Sequence, residues 1–152
     1  MSTLTKPRLP TWARWSLFWT LFIGVGAVVG AVLMWITPGS PDTFGMAGLL
    51  EPMQALPLIS PLLTSFTWPG IFLLLVNGLP QLLAAWMILA RRRPAPVAVL
   101  CCGALLMGWI TIQFVIYPFN WTSTSYFIFG LLEAGMALLW LRQVRGERQV
   151  RL

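Results

Sequence analysis

The chain contains no histidine. Three chemistries that depend on an imidazole leave with it: haem held between two histidines, zinc held by histidine nitrogen, and acid–base catalysis by a group that titrates near neutral pH. Cysteine is nearly as scarce. The two present, Cys101 and Cys102, are adjacent, and neighbouring residues seldom reach the geometry of an unstrained disulfide. With no C-x-x-C pair, a thiol–disulfide membrane enzyme has no support. Both cysteines read as small apolar residues of a hydrophobic helix. A Ser–His or Cys–His pair, metal-ligand spacing, a carboxylate dyad and a phosphate loop are missing too, so no enzyme is expected and no cofactor or metal.

Charge is the next shortage. Charged residues make up 9% of the 152, and 58% are hydrophobic. A soluble domain carries about 25% charged residues, so this balance belongs to an integral membrane protein. The net charge of +6 would suit nucleic acid if it were gathered on one solvated face. Instead the basic residues fall in three clusters, each flanking a hydrophobic run, which is the pattern of an orientation signal. Nucleic acid is therefore not an expected partner; the lipid bilayer is.

Four hydrophobic runs are long enough to cross a ~30 Å hydrocarbon layer. They lie at about 15–36, 69–90, 97–117 and 125–142. The first follows a polar, proline-broken start, has no convincing cleavage site after it, and is expected to be retained. Tryptophans at 12, 15, 19 and 35 mark its two interfaces. Its Gly26 and Gly30 form a small-xxx-small pair, and Ala27 with Ala31 a second, so that helix backbones can approach closely. Packing within the chain is the first reading of this face, and pairing with another copy the alternative. In the second run Pro69 suits a first helical turn, whereas Pro80 is interior and should kink or loosen the helix.

The connection 37–68 carries five prolines, Asp42 and Glu51, and no basic residue. Two apolar pieces, 44–56 and 58–66, are expected as short interfacial helices forming an ordered cap. All ten basic residues then fall on one side of a four-span arrangement: three before the first span, three between the second and third, four after the fourth. That distribution places both termini in the cytoplasm of a multi-pass protein in the cell (inner or plasma) membrane. The expected fold is an all-α, single-domain four-helix transmembrane bundle over residues 1–152.

The polar exceptions inside the runs are few. Glu133 is the one charge in YFIFGLLEAGMALLWL, residues 126–141. A carboxylate at mid-span costs roughly 2.5–3.5 kcal/mol on insertion scales, so it should face protein or water. Tyr126, Gly130, Glu133, Ala134 and Ala137 share one helical face, with Gly130 and Ala134 small enough for close packing; Ile128, Leu132 and Leu139 lie opposite, toward lipid. Asn77 and Gln81 are four apart on one face of the second span. Gln113 lies in the third, in line with Cys102, Leu106, Trp109 and Tyr117. Asn77 is about eight residues down its span, ~12 Å at the helical rise, and Glu133 is about as deep. The spacing predicts a cluster of Glu133, Gln113 and Asn77, with Gln81, Tyr117 and Tyr126 near. Such a cluster is either polar glue for the bundle, where each contact is worth ~0.6–2 kcal/mol, or a site for a proton, cation or small polar ligand.

The pieces PGIFLLLVNGL (69–79), WITIQ (109–113) and YFIFGLLEAG (126–135) resemble a set of small four-span bacterial integral membrane proteins. These carry PG…NGL in the second span, W-I-x-x-Q in the third and an aromatic–Gly pattern in the fourth. The likeness covers roughly the last ninety residues. It implies a fold and a membrane address, and no activity.

Two functions from different classes follow. One is a non-enzymatic accessory or partner- or ligand-binding membrane subunit, packed against itself, another copy or another membrane protein. The other is a small proton- or cation-coupled transporter or ligand carrier using Glu133. The arginine distribution already makes a testable statement. A fluorescent protein fused after Leu152 should fold and fluoresce, and a periplasmic alkaline phosphatase at the same place should be inactive; the opposite result would reverse the orientation.

Overall fold

The computed structural model describes residues 9–36, 50–54, 64–117, 119 and 121–149. Among them all regular structure is helical. The helices are α1 (Thr11–Ile36), α2 (Leu50–Gln54), α3 (Thr67–Leu73), α4 (Leu79–Leu89), α5 (Ala95–Ile116) and α6 (Trp121–Gln149). A π-helical turn, Leu74–Gly78, joins α3 to α4. Four helices are therefore long and apolar enough to cross a membrane: α1, the continuous unit Thr67–Leu89, α5, and α6 as far as Gly146. Most of the apolar pieces expected at 44–56 and 58–66 lies outside the described residues; α2 is the described helix within them.

Pro80 explains the π turn. Having no N–H, it cannot bond the carbonyl four residues back. The chain widens one turn earlier, and the N–H of Leu79 bonds the Leu74 carbonyl five residues back. The loosening expected at Pro80 takes this form and leaves the helix axis continuous. At its other end α4 closes in a Schellman arrangement, Arg92 N–H to the Met87 carbonyl at 2.9 Å and Arg91 N–H to the Ile88 carbonyl at 3.0 Å. Arg91 takes the left-handed position, φ 52°, normally a glycine's place. Pro94 then caps α5 and Pro96 sits in its first turn, so α4 and α5 are joined by a stiff, short turn.

The fourth helix starts earlier than the expected 125: residues 121–124 form the first turn of α6. The Ser125 hydroxyl donates back to the Trp121 carbonyl at 3.0 Å, which lets a polar segment continue the helix.

The bundle is a ring of four. α1 packs on the α3–α4 unit and on α6, α4 on α5, and α5 most extensively on α6. The inward face of α1 is made of small residues: Ala13, Ser16, Thr20, Ala27 and Ala31 are buried. Its outward face is bulky, with Trp15, Phe18, Phe22, Val25 and Val29 all about half exposed. Small inside and large outside is the reverse of a helix packed in water, and suits an apolar solvent. Of the expected packing residues, Ala27 and Ala31 face the interior while Gly26 is exposed. Gly24, Gly70 and Gly78 are where the α3–α4 unit approaches α1: a Cβ on Gly24 would stand 3.0 Å from that of Gln81, and one on Gly70 2.7 Å from Trp35 Nε1. Trp35 Nε1 donates to the Thr67 carbonyl at 3.2 Å and ties these ends together.

The closest seam is α5 against α6. A Cβ on Gly103 would lie 2.9 Å from both Ala134 N and the Gly130 carbonyl, and one on Gly130 2.8 Å from Met107 Cγ. The first two are backbone atoms and yield only if the helices part. Gly103→Ala should destabilise the protein by ~1–3 kcal/mol, the usual cost of overpacking. Gly108→Ala has open space around it and should be neutral, or stabilising by up to ~1 kcal/mol through helix propensity. Thermal unfolding in detergent compares them; equal stability of the two variants would show that the seam is looser than described.

Candidate functional site

Two apolar clusters divide the interior along the bundle axis. One lies at the end that carries the arginines and contains Ala13, Ile88, Val99, Cys102, Ala137 and Trp140. The other lies toward the far end and contains Ile23, Leu106 and Ile110. Four of the buried polar residues fall between them. On α1 Ser16 and Thr20 lie between Ala13 and Ile23; on α6 Glu133 precedes Ala137; on α4 Gln81 precedes Ala84. All four are essentially inaccessible, at 0–1% exposure. The result is a polar layer closed above and below by hydrocarbon.

The layer is built around one contact. Gln81 Nε2 donates to Glu133 Oε2 at 2.7 Å, fully buried and 52 residues apart in sequence. The bond crosses the core from the second long helix to the fourth, which are not neighbours in the ring. Gln81 has its position because Gly24 leaves room for its stem, and Glu133 because Gly130 and Gly103 draw α6 onto α5. Thr20 spends its hydroxyl on its own helix, donating to the Ser16 carbonyl at 3.0 Å. Three atoms of the layer, Ser16 Oγ, Gln81 Oε1 and Glu133 Oε1, have no hydrogen-bond partner.

A cavity of about 190 Å³ lies beyond the far-end apolar cluster. Asn77, Trp109, Gln113 and Tyr126 line it, with Gly26 and Gly30 from α1 and Thr122 and Ser123 from the start of α6. Ile23, Leu106 and Ile110 also border it, so the apolar cluster is the partition between cavity and polar layer. Asn77 belongs to the π turn, a backbone feature found frequently at functional sites. The Gln113 side chain is oriented by Ser123, whose hydroxyl donates to its Oε1 at 3.2 Å. Trp109 Nε1 is buried without a partner.

The single cluster expected from the sequence is thus two sites. Glu133 meets Gln81 and not Asn77 or Gln113; those two, with Tyr126, belong to the cavity, which neither Glu133 nor Gln81 lines. Tyr117 is half-buried at the end of α5, outside the cavity lining. Ser16, Thr20 and Gly24 lie outside the expected cluster, although Ala13, Ser16, Thr20, Ala27 and Ala31 recur at intervals of three, four and seven, the signature of one helical face. Among the described residues no group of His, Cys, Asp and Glu could hold a metal ion. Comparison with models of known families, with curated proteins and with solved structures finds no significant match to this chain.

The Gln81–Glu133 contact makes a stability statement. Gln81→Leu removes the donor and leaves the carboxyl buried without its partner, which costs ~1–3 kcal/mol. Replacing both residues with leucine removes donor and acceptor together and should recover a large part of that loss. A double-mutant cycle in detergent unfolding reads the coupling; strictly additive losses would mean that the two side chains do not support each other.

Proposed function

We propose that this chain is a non-enzymatic, multi-pass integral membrane protein that holds a small neutral ligand in the cavity between Asn77, Trp109, Gln113 and Tyr126. The observation that carries this reading is the character of the cavity. It pairs amide and indole groups with apolar and aromatic walls, and among the described residues no charged side chain lines it. Few, convergent polar groups in a mostly apolar pocket are what small-molecule sites use to fix orientation. The polar layer then has a separate, structural task, with Gln81 and Glu133 holding the second and fourth long helices in register beneath the cavity.

The membrane setting is part of the proposal. The four long apolar helices and the bulky outward face of α1 suit lipid, and the arginine end would face the cytoplasm with both termini. The cavity would then open in the outer half of the cell membrane, where the 37–68 connection, in part interfacial helix, could cover it. The resemblance to small four-span bacterial membrane proteins agrees with this address. An accessory role beside another membrane protein, or beside a second copy, is compatible with the same cavity.

A second reading draws on the three unpartnered atoms of the polar layer. A buried carboxyl with open acceptors nearby is the kind of group through which a proton or cation passes in carriers. The two readings separate on purified protein. After gentle detergent extraction, mass spectrometry should find a small molecule or lipid bound to the wild type, and Gln113→Leu should lower its occupancy about tenfold while the protein stays folded. Glu133→Gln should leave occupancy intact. Loss of ligand in Glu133→Gln alone, with pH-dependent uptake into liposomes by the wild type, would transfer the function to the polar layer. Equal occupancy in Gln113→Leu would remove the cavity from the account.

A further inference from the structure

The cavity's dimensions and polarity restrict what it can hold. Resting on the reading of it as a ligand site, we propose that it takes the planar, carbonyl-bearing ring of a quinone-type molecule, one ring at a time. Size comes first. An apolar cavity of roughly 150 Å³ holds one benzene, so a partly open cavity of about 190 Å³ suits a single substituted six-membered ring. Charge comes next. A phosphate, carboxylate or ammonium group would be stripped of water against walls with no opposite charge, which is prohibitive. The ligand's ring is neutral.

Hydrogen-bond direction then points to carbonyl oxygen. The Trp109 indole can only donate, and its Nε1 is buried with no partner. Gln113 has its carbonyl oxygen occupied by the Ser123 hydroxyl, so the end it has free is the donating amide. Donors that lack acceptors are satisfied by ring carbonyls, and the aromatic faces of Trp109 and Tyr126 suit a flat ring. Access is lateral. Gly26 both lines the cavity and is exposed, and its neighbours Val25 and Val29 are half exposed on the same helix. A ring entering beside Gly26 could leave an alkyl tail lying along α1. The same ring chemistry exists in tailed, lipid-borne quinones and in free aromatic carbonyl compounds.

The test uses the full chain in detergent, with decylubiquinone as the tailed ring, duroquinone as the ring without a tail, and decyl alcohol as the tail without a ring. Binding is read as a saturable rise in melting temperature, which follows mass action for any ligand of the folded state. Both quinones should raise it and decyl alcohol should not. A markedly lower half-saturation for decylubiquinone identifies a lipid-borne ligand, and parity with duroquinone a free one. Trp109→Phe and Gln113→Leu should each weaken binding about tenfold, the effect of one lost hydrogen bond. Gly26→Leu should abolish it. A Cβ there meets nothing closer than the Tyr126 hydroxyl at 4.0 Å, so the added side chain starts in open space at the cavity wall, and the variant's own melting temperature checks that the fold survives. An equal shift in Gly26→Leu, or no shift with either quinone, overturns the proposal. If quinones fail while the co-purified molecule still disappears in Gln113→Leu, the ring assignment falls and the ligand cavity stands. If that molecule is also indifferent to Gln113→Leu, both fall.

Discussion

A carboxyl group with no exposed surface, in the middle of a helical bundle, must find a hydrogen-bond partner or be expelled. In this chain the partner is Gln81, 2.7 Å from Glu133 Oε2. Most of the structure can be understood as arranging that meeting. The two residues come from helices on opposite sides of the ring, so the helices between them must be thin where they pass. Gly24 on α1 gives Gln81 its room, and Gly103 on α5 lets α6 approach until backbone touches backbone. Ala13 on one side and Ile23 with Leu106 on the other then seal the polar layer. A hydrogen bond of this kind is modest in net energy, but an unmade one is expensive. The contact therefore selects one helix register among many that apolar packing alone would tolerate.

The same division of labour frees the far end of the bundle. With Glu133 bonded to Gln81 below the Ile23–Leu106–Ile110 partition, Asn77 and Gln113 are not needed to shelter it. They line a space of their own, and the π turn that Pro80 imposes places Asn77 at its edge. Gly26 and Gly30, whose spacing reads first as a face for packing within the chain, here line the cavity's α1 wall. A single helix thus uses its alternate small residues for two purposes: Ala27 and Ala31 toward the core, Gly26 toward the opening.

The sequence disclosed the number of long helices, because runs of twenty apolar residues are hard to read otherwise, and it disclosed that Glu133 faces inward with Gly130 and Ala137. Exposed Ile128, Leu132 and Leu139 lie on the opposite face, as their spacing requires. What it concealed was pairing. Asn77 and Gln81 share a helical face, so depth alone had to choose between them, and depth was counted from helix starts that a Ser/Thr-rich segment hides. α6 begins at Trp121, several residues before the hydrophobic run. The hydroxyls of Ser16 and Thr20 were hidden for a different reason. Each is small and mildly polar, and neither interrupts the hydrophobic run that contains it. The form of the loosening at Pro80 was not readable because it depends on which backbone carbonyl finds a new donor.

The central claim is that Gln81 and Glu133 are joined across the core while the chain sits in lipid. Solid-state NMR of the protein in bilayers, with label on the glutamine side-chain nitrogen and the glutamate side-chain carbon, measures that separation directly. The account expects dipolar coupling between the Gln81 amide nitrogen and the Glu133 carboxyl carbon at hydrogen-bonding distance. Its absence, together with contact between Glu133 and lipid acyl chains, would contradict the account at its foundation.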